Sequence, residues 1–126
     1  MEINVTANDI KMSAKLFDYG DNKEAKQITD EEISVLIEKI KTQILNWLKD
    51  INLEIGAEYN IERYIILETV IALALSNYND NSKTYIEALK LERDRFASMI
   101  EKNAKKFATS RSIPKMPSLN KGNIFH

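Results

Sequence analysis

Apolar positions recur at helical intervals along most of the chain, and the clearest run follows Thr29-Asp30-Glu31-Glu32. Ile33, Leu36, Ile37, Ile40, Ile44, Trp47, Leu48 and Ile51 succeed one another largely in steps of three and four, which places them on one face of a helix. Lys39, Lys41, Lys49 and Asp50 fall largely away from that face. Glu32 stands three residues after Thr29, the spacing of a capping box, and the acidic first turn suits the helix dipole. The pattern predicts a helix of roughly twenty residues, about 30 Å long. Leu53-Glu54-Ile55-Gly56-Ala57 reads as its end and a connection, with Gly56 expected to supply a positive φ.

Upstream, Thr6 and Asp9 repeat the capping spacing with a shorter acid. They predict a short helix from about Ala7 to Phe17, with Ile10, Ala14 and Phe17 on one face. Asp18-Tyr19-Gly20-Asp21-Asn22 is turn chemistry and ends it.

Downstream, the stretch from Glu58 to Tyr78 differs in kind. Ile61, Tyr64, Ile65, Ile66, Leu67, Val70, Ile71, Leu73, Ala74 and Leu75 cover most of a helix's circumference. Such a helix is central in a core or covered by a neighbouring subunit, and a small domain favours the second. Asn77 to Asn81 closes it. A fourth helix, about Ser82 to Phe107, carries an intermittent stripe of Tyr85, Leu89, Phe96, Met99, Ile100 and Phe107 among many charges. Periodicity then stops. The reading is an all-α protein: a compact bundle of about four helices over residues 1–108, followed by an extended basic C-terminal tail over 109–126.

Composition supports a single domain with a core: 126 residues, 44% hydrophobic and 29% charged. Three glycines and two prolines are too few for a turn-rich all-β fold. Charge changes the picture more. All nineteen acidic residues precede Lys102, so residues 1–101, with twelve basic groups, carry a net charge of -7. From Lys102 onward there are six basic residues and no acidic one. Both prolines, Pro114 and Pro117, lie in the tail beside spaced apolar residues. Arg111, Ile113, Met116, Leu119, Ile124 and Phe125 are therefore the candidate partner-binding residues, on a tail that reaches roughly 60 Å when fully extended. The alternative is a disordered tail, which has no need of those apolar groups.

Candidate chemistry is sparse. The chain has no cysteine, hence no disulfide and no thiolate, and its one histidine is the terminal His126. Gly20, Gly56 and Gly122 are too far apart to form a phosphate-cradling loop. Glu31 and Glu32 are explained as a helix start, and Glu92 and Asp94 sit among arginines. No catalytic, cofactor-binding or metal-binding residues are assigned. Glu68 lies inside the most apolar segment; it is either surface-facing or paired with Arg63, or it makes a polar contact across a subunit interface. Trp47 is a core residue or an interface anchor. The basic residues Arg93, Arg95, Lys102, Lys105 and Lys106 form a solvated helix face or a phosphate-contacting one. The apolar run Tyr64 to Leu75 is too short for a membrane span, and the N-terminus lacks the pattern of a secretory signal.

The order of these parts carries a resemblance. Val5-Thr6-Ala7-Asn8-Asp9-Ile10 introduces a short helix, and Ile28-Thr29-Asp30-Glu31-Glu32-Ile33 a capped amphipathic one. Ile65-Ile66-Leu67-Glu68-Thr69-Val70-Ile71-Ala72-Leu73-Ala74-Leu75-Ser76-Asn77-Tyr78 is a strongly apolar third, and Tyr85-Ile86-Glu87-Ala88-Leu89-Lys90-Leu91-Glu92 opens a fourth that leads to the tail. Over about residues 5–108 this resembles the small head–tail connector (adaptor, or head-completion) proteins of tailed bacteriophages and prophages. The resemblance implies a non-enzymatic virion protein at the head–tail interface, assembled in the host cytoplasm as a homo-oligomeric ring of about a dozen copies. It implies portal and tail-side connector proteins as partners, with the tail reaching a neighbour or the portal. DNA would pass through the channel without specific recognition, which suits the near-neutral overall charge. A membrane is not among the expected partners. The connection over 52–60 is short for that family, so the lumen-facing surface is not assigned.

Two rival readings stand beside it. One is a small helical nucleic-acid-binding module using Arg93, Arg95, Lys105, Lys106, Arg111 and Lys115, whose affinity would fall steeply with salt. The other is a small enzyme working without histidine or cysteine.

Overall fold

A computed structural model describes residues 2–13, 29–76, 83–107 and 115–118, with side chains followed to Lys105 in the third stretch. The periodic segments become helices α1 (Ala7–Ser13), α2 (Asp30–Asp50), α3 (Glu58–Ser76) and α4 (Lys83–Phe107), and the described residues contain no strand. The protein is an all-α bundle. Ala14 and Phe17, expected on the first helix, and Tyr78, expected to end the third, lie outside the described residues.

Both expected N-terminal caps form. The Thr6 hydroxyl accepts from the Asp9 N–H at 3.3 Å while Asp9 Oδ2 accepts from the Thr6 N–H at 2.9 Å, a reciprocal box. The Thr29 hydroxyl accepts from the Glu32 N–H at 3.2 Å. The end of α2 departs from expectation. Gly56 has no positive φ; the left-handed residue is Asn52, at φ 50°. Asn52 N–H donates to Lys49 O at 2.9 Å and Leu53 N–H to Leu48 O at 3.3 Å, the paired bonds of a Schellman ending. The reversal therefore comes immediately after the last helical turn, where Asn tolerates the conformation, and not four residues later at the glycine.

The expected face of α2 is the buried one: Ile33, Ile37, Ile40, Ile44, Trp47 and Leu48 all enter the core. Trp47 is accordingly a core residue, 5% exposed. α3 is the central element. Eleven of its nineteen residues are buried, and they lie all round its circumference. α4 packs against it most extensively, α2 and α1 cover further sides, and Ile3 and Met116 join the same core. One chain thus covers this helix without the neighbouring subunit that its apolar circumference suggested. The start of α3 (Tyr59, Asn60) and the end of α4 (Met99, Lys102, Asn103) line one groove, while Glu68 meets Arg93 midway, so the two helices run antiparallel. On α4 the buried positions are Ile86, Leu89, Arg93, Ile100 and Ala104, with Phe96 and Ala97 partly buried. Met99, expected in the stripe, is 41% exposed.

No helix among the described residues is long and apolar enough to cross a membrane.

Candidate functional site

Tyr64 and Glu68 stand one turn apart on α3, and Arg93 and Glu101 stand two turns apart on α4. Antiparallel packing brings these four side chains to one seam, and residues 115–118 lie in it. Met116 puts its side chain into the core, 9% exposed, and its N–H donates to Glu101 Oε1 at 3.1 Å. Pro117 has no N–H to satisfy; its carbonyl accepts from the Tyr64 hydroxyl at 2.9 Å. The Ser118 hydroxyl donates to Glu68 Oε2 at 2.9 Å. Each residue of the segment from 116 to 118 is thus met by a different side chain of the body. Lys115 stays exposed.

The floor of this slot is an ion pair. Glu68 is fully buried, and its Oε1 accepts from Arg93 Nη1 at 2.9 Å. Arg93 is also held from its own helix: Nε and Nη2 reach Asp94 Oδ1 at 3.0 and 2.9 Å. Burial alone would lower the Arg93 pKa, but the hydrogen bond and charge of Glu68, with Asp94, outweigh it and leave the net shift upward. The Tyr64 hydroxyl is pushed well above the usual tyrosine range, first by burial and then by the Glu68 carboxylate, with Ser118 and Arg93 partly opposing. The slot is therefore built for a neutral, hydrogen-bonding occupant: a donor hydroxyl for the carboxylate and an acceptor carbonyl for the phenol.

The sequence expectations for Glu68 and Arg93 are corrected here. Glu68 faces neither solvent nor Arg63; its partner is Arg93, 25 residues along the chain. Arg93 is not on a solvated face, whereas Arg95, Lys102 and Lys105 are exposed. Of the candidate partner-binding residues, Met116 is buried in the chain's own body. Arg111, Ile113, Leu119, Ile124 and Phe125 lie outside the described residues, as does the side chain of Lys106. Tyr64, Glu101 and Ser118 were not singled out by sequence. The available signal was the spacing Leu89–Arg93–Phe96–Ile100, which sets an arginine inside an apolar stripe facing a helix that holds a lone glutamate.

Among the described residues no group of three or more histidine, cysteine or acidic side chains is placed to hold a metal ion. Comparison of the chain with protein-family models, with curated protein sequences and with solved structures finds no match.

Proposed function

We propose that the chain is a non-enzymatic assembly subunit of the head–tail connector type. It would form a ring beneath a portal and use its basic C-terminal segment to make the contacts that hold the ring and dock it. One observation carries this reading: the helical body contains a fitted receptor for the chain's own C-terminal segment, in which Met116 is buried and Glu101, Tyr64 and Glu68 each hold one residue. A net charge of -7 over residues 1–101 and three basic groups with no acidic one in the tail, Arg111, Lys115 and Lys121, add a long-range attraction to that fit. The helical architecture supports the reading at the level of fold class. A ring multiplies a modest contact made by each tail.

Electron microscopy of the full chain at high concentration tests it. Closed rings of about a dozen copies are the expected image. Isolated small particles at every concentration, together with salt-sensitive binding to duplex DNA, would replace this reading with the nucleic-acid-binding one. Arg93 weighs against that rival, because Glu68 and Asp94 already engage its guanidinium.

A further inference from the structure

We infer that the slot between α3 and α4 is a peptide-binding site whose occupant is exchanged on assembly: residues 115–118 of a second copy take the place of the chain's own. This rests on the assembly reading and names the contact that would carry it. The ligand class is an extended peptide with a flexible apolar side chain, then a residue needing no backbone donor, then a hydroxyl. Met116, Pro117 and Ser118 meet those terms through the core, Tyr64 and Glu68.

A second copy is the occupant for three reasons. Every copy carries the same segment, so each contact made within the chain is reproduced between chains, with the same atoms and the same geometry. The connection limits which neighbour can be reached. Seven residues, 108–114, join Phe107 to Lys115, and at about 3.3 Å each they span at most about 25 Å, less than the roughly 35 Å diameter of a domain this size, so the receiving slot must belong to an adjacent copy in direct contact. Charge also favours the approach of a neighbour: Lys115 is exposed beside the slot and the receiving body is acidic.

What selects one arrangement over the other is concentration. The chain's own segment acts at an effective concentration in the millimolar range, set by its short link. An isolated copy therefore keeps its own segment. In a ring each slot has a neighbour's segment at comparable local concentration, and exchange adds the closure of the ring to otherwise equal contacts.

The chain has no cysteine, so introduced thiols report without background. Two full-length single variants, Glu101→Cys and Lys115→Cys, one of them isotopically heavy, are mixed at high concentration and oxidised. Position 101 meets the segment at Met116, next to position 115. Glu101→Cys gives up the hydrogen bond from the Met116 N–H and leaves the Met116 side chain in the core and the Ser118 hydroxyl on Glu68. The expected product is a mixed disulfide several-fold more abundant than either homodisulfide. It should be lost when the Lys115→Cys chain also carries Met116→Asp and Ser118→Ala. Multimers on native mass with no excess of mixed disulfide overturn the exchange and leave assembly standing. An excess of mixed disulfide in species no larger than a dimer supports exchange and overturns the ring. Absence of both multimers and mixed disulfide overturns both.

Discussion

The Arg93 guanidinium donates to Glu68 Oε1 at 2.9 Å and joins the middles of two helices whose contacting residues are 25 apart in sequence. Glu68 is fully buried and the Arg93 side chain is 11% exposed, so each charge depends on the other for its stability there. Arg93→Leu takes the guanidinium from the fully buried Glu68 carboxylate and should cost about 3–5 kcal/mol. Glu68→Leu should cost less, because Asp94 still engages Arg93. The double variant should lose clearly less than the sum, because two leucines pack where two charges stood. Urea unfolding of the four chains in a double-mutant cycle measures the coupling. Additive losses would mean that the pair is not a unit.

Tyr64 makes stability depend on alkaline pH. Its folded-state pKa is raised above the ordinary value of about 10, so the native state holds this proton after the unfolded chain has released it. The contribution is fully present below about pH 10 and is lost as pH rises beyond it. Unfolding free energy measured from pH 8 to 11 should fall less steeply at the top of the range in Tyr64→Phe than in the parent. Tyr85, also raised by burial and by Glu92, keeps its own share of the slope in both chains. Parallel curves would show that the Tyr64 phenol is free to ionise in the folded state.

Asn52 takes the left-handed turn after α2. Asn52→Gly should be close to neutral. Asn52→Val, with a branched side chain at positive φ, should cost about 1–2 kcal/mol. Gly56, by contrast, has open space where a Cβ would go and no positive φ. Gly56→Ala should therefore stabilise by about 0.4–1 kcal/mol through the unfolded chain. Thermal unfolding of the three variants checks the ordering, and a loss at Gly56→Ala would return the special backbone position to the glycine.

Met116 ties the C-terminal segment to the core. Met116→Ala should cost up to about 2 kcal/mol, below the full range for a core methionine, because the segment can leave its slot while the bundle persists. Hydrogen exchange should show the Met116 N–H, protected by Glu101 in the parent, losing protection before the amides of α3 do. Simultaneous loss across α3 would make the segment part of the cooperative core.

The four helices were legible because the signals behind them are local. The Thr6 and Thr29 caps and the 3–4 spacing of Ile33 through Trp47 are all set within one element. Turn chemistry misled at Gly56, where a glycine was credited with a reversal that Asn52 already makes. The slot was not legible in the same way. Its residues come from α3, α4 and the segment at 115–118, and which of them meet depends on the antiparallel register of α3 and α4. Glu68 stood out as a charge in an apolar helix, but local spacing offered Arg63, and choosing Arg93 needed the tertiary pairing. Ser118 and Met116 sit in a stretch with no periodicity, and so carried no local mark of burial against their own body.

Native mass of the full chain across rising concentration, beside the same measurement on Met116→Asp with Ser118→Ala, decides whether the chain assembles through its C-terminal segment. The parent should form a closed multimer of about a dozen copies, and the variant should lose it while its circular dichroism keeps the helical signal. A parent that stays monomeric at every concentration, or a variant that assembles as well as the parent, would contradict assembly through that segment.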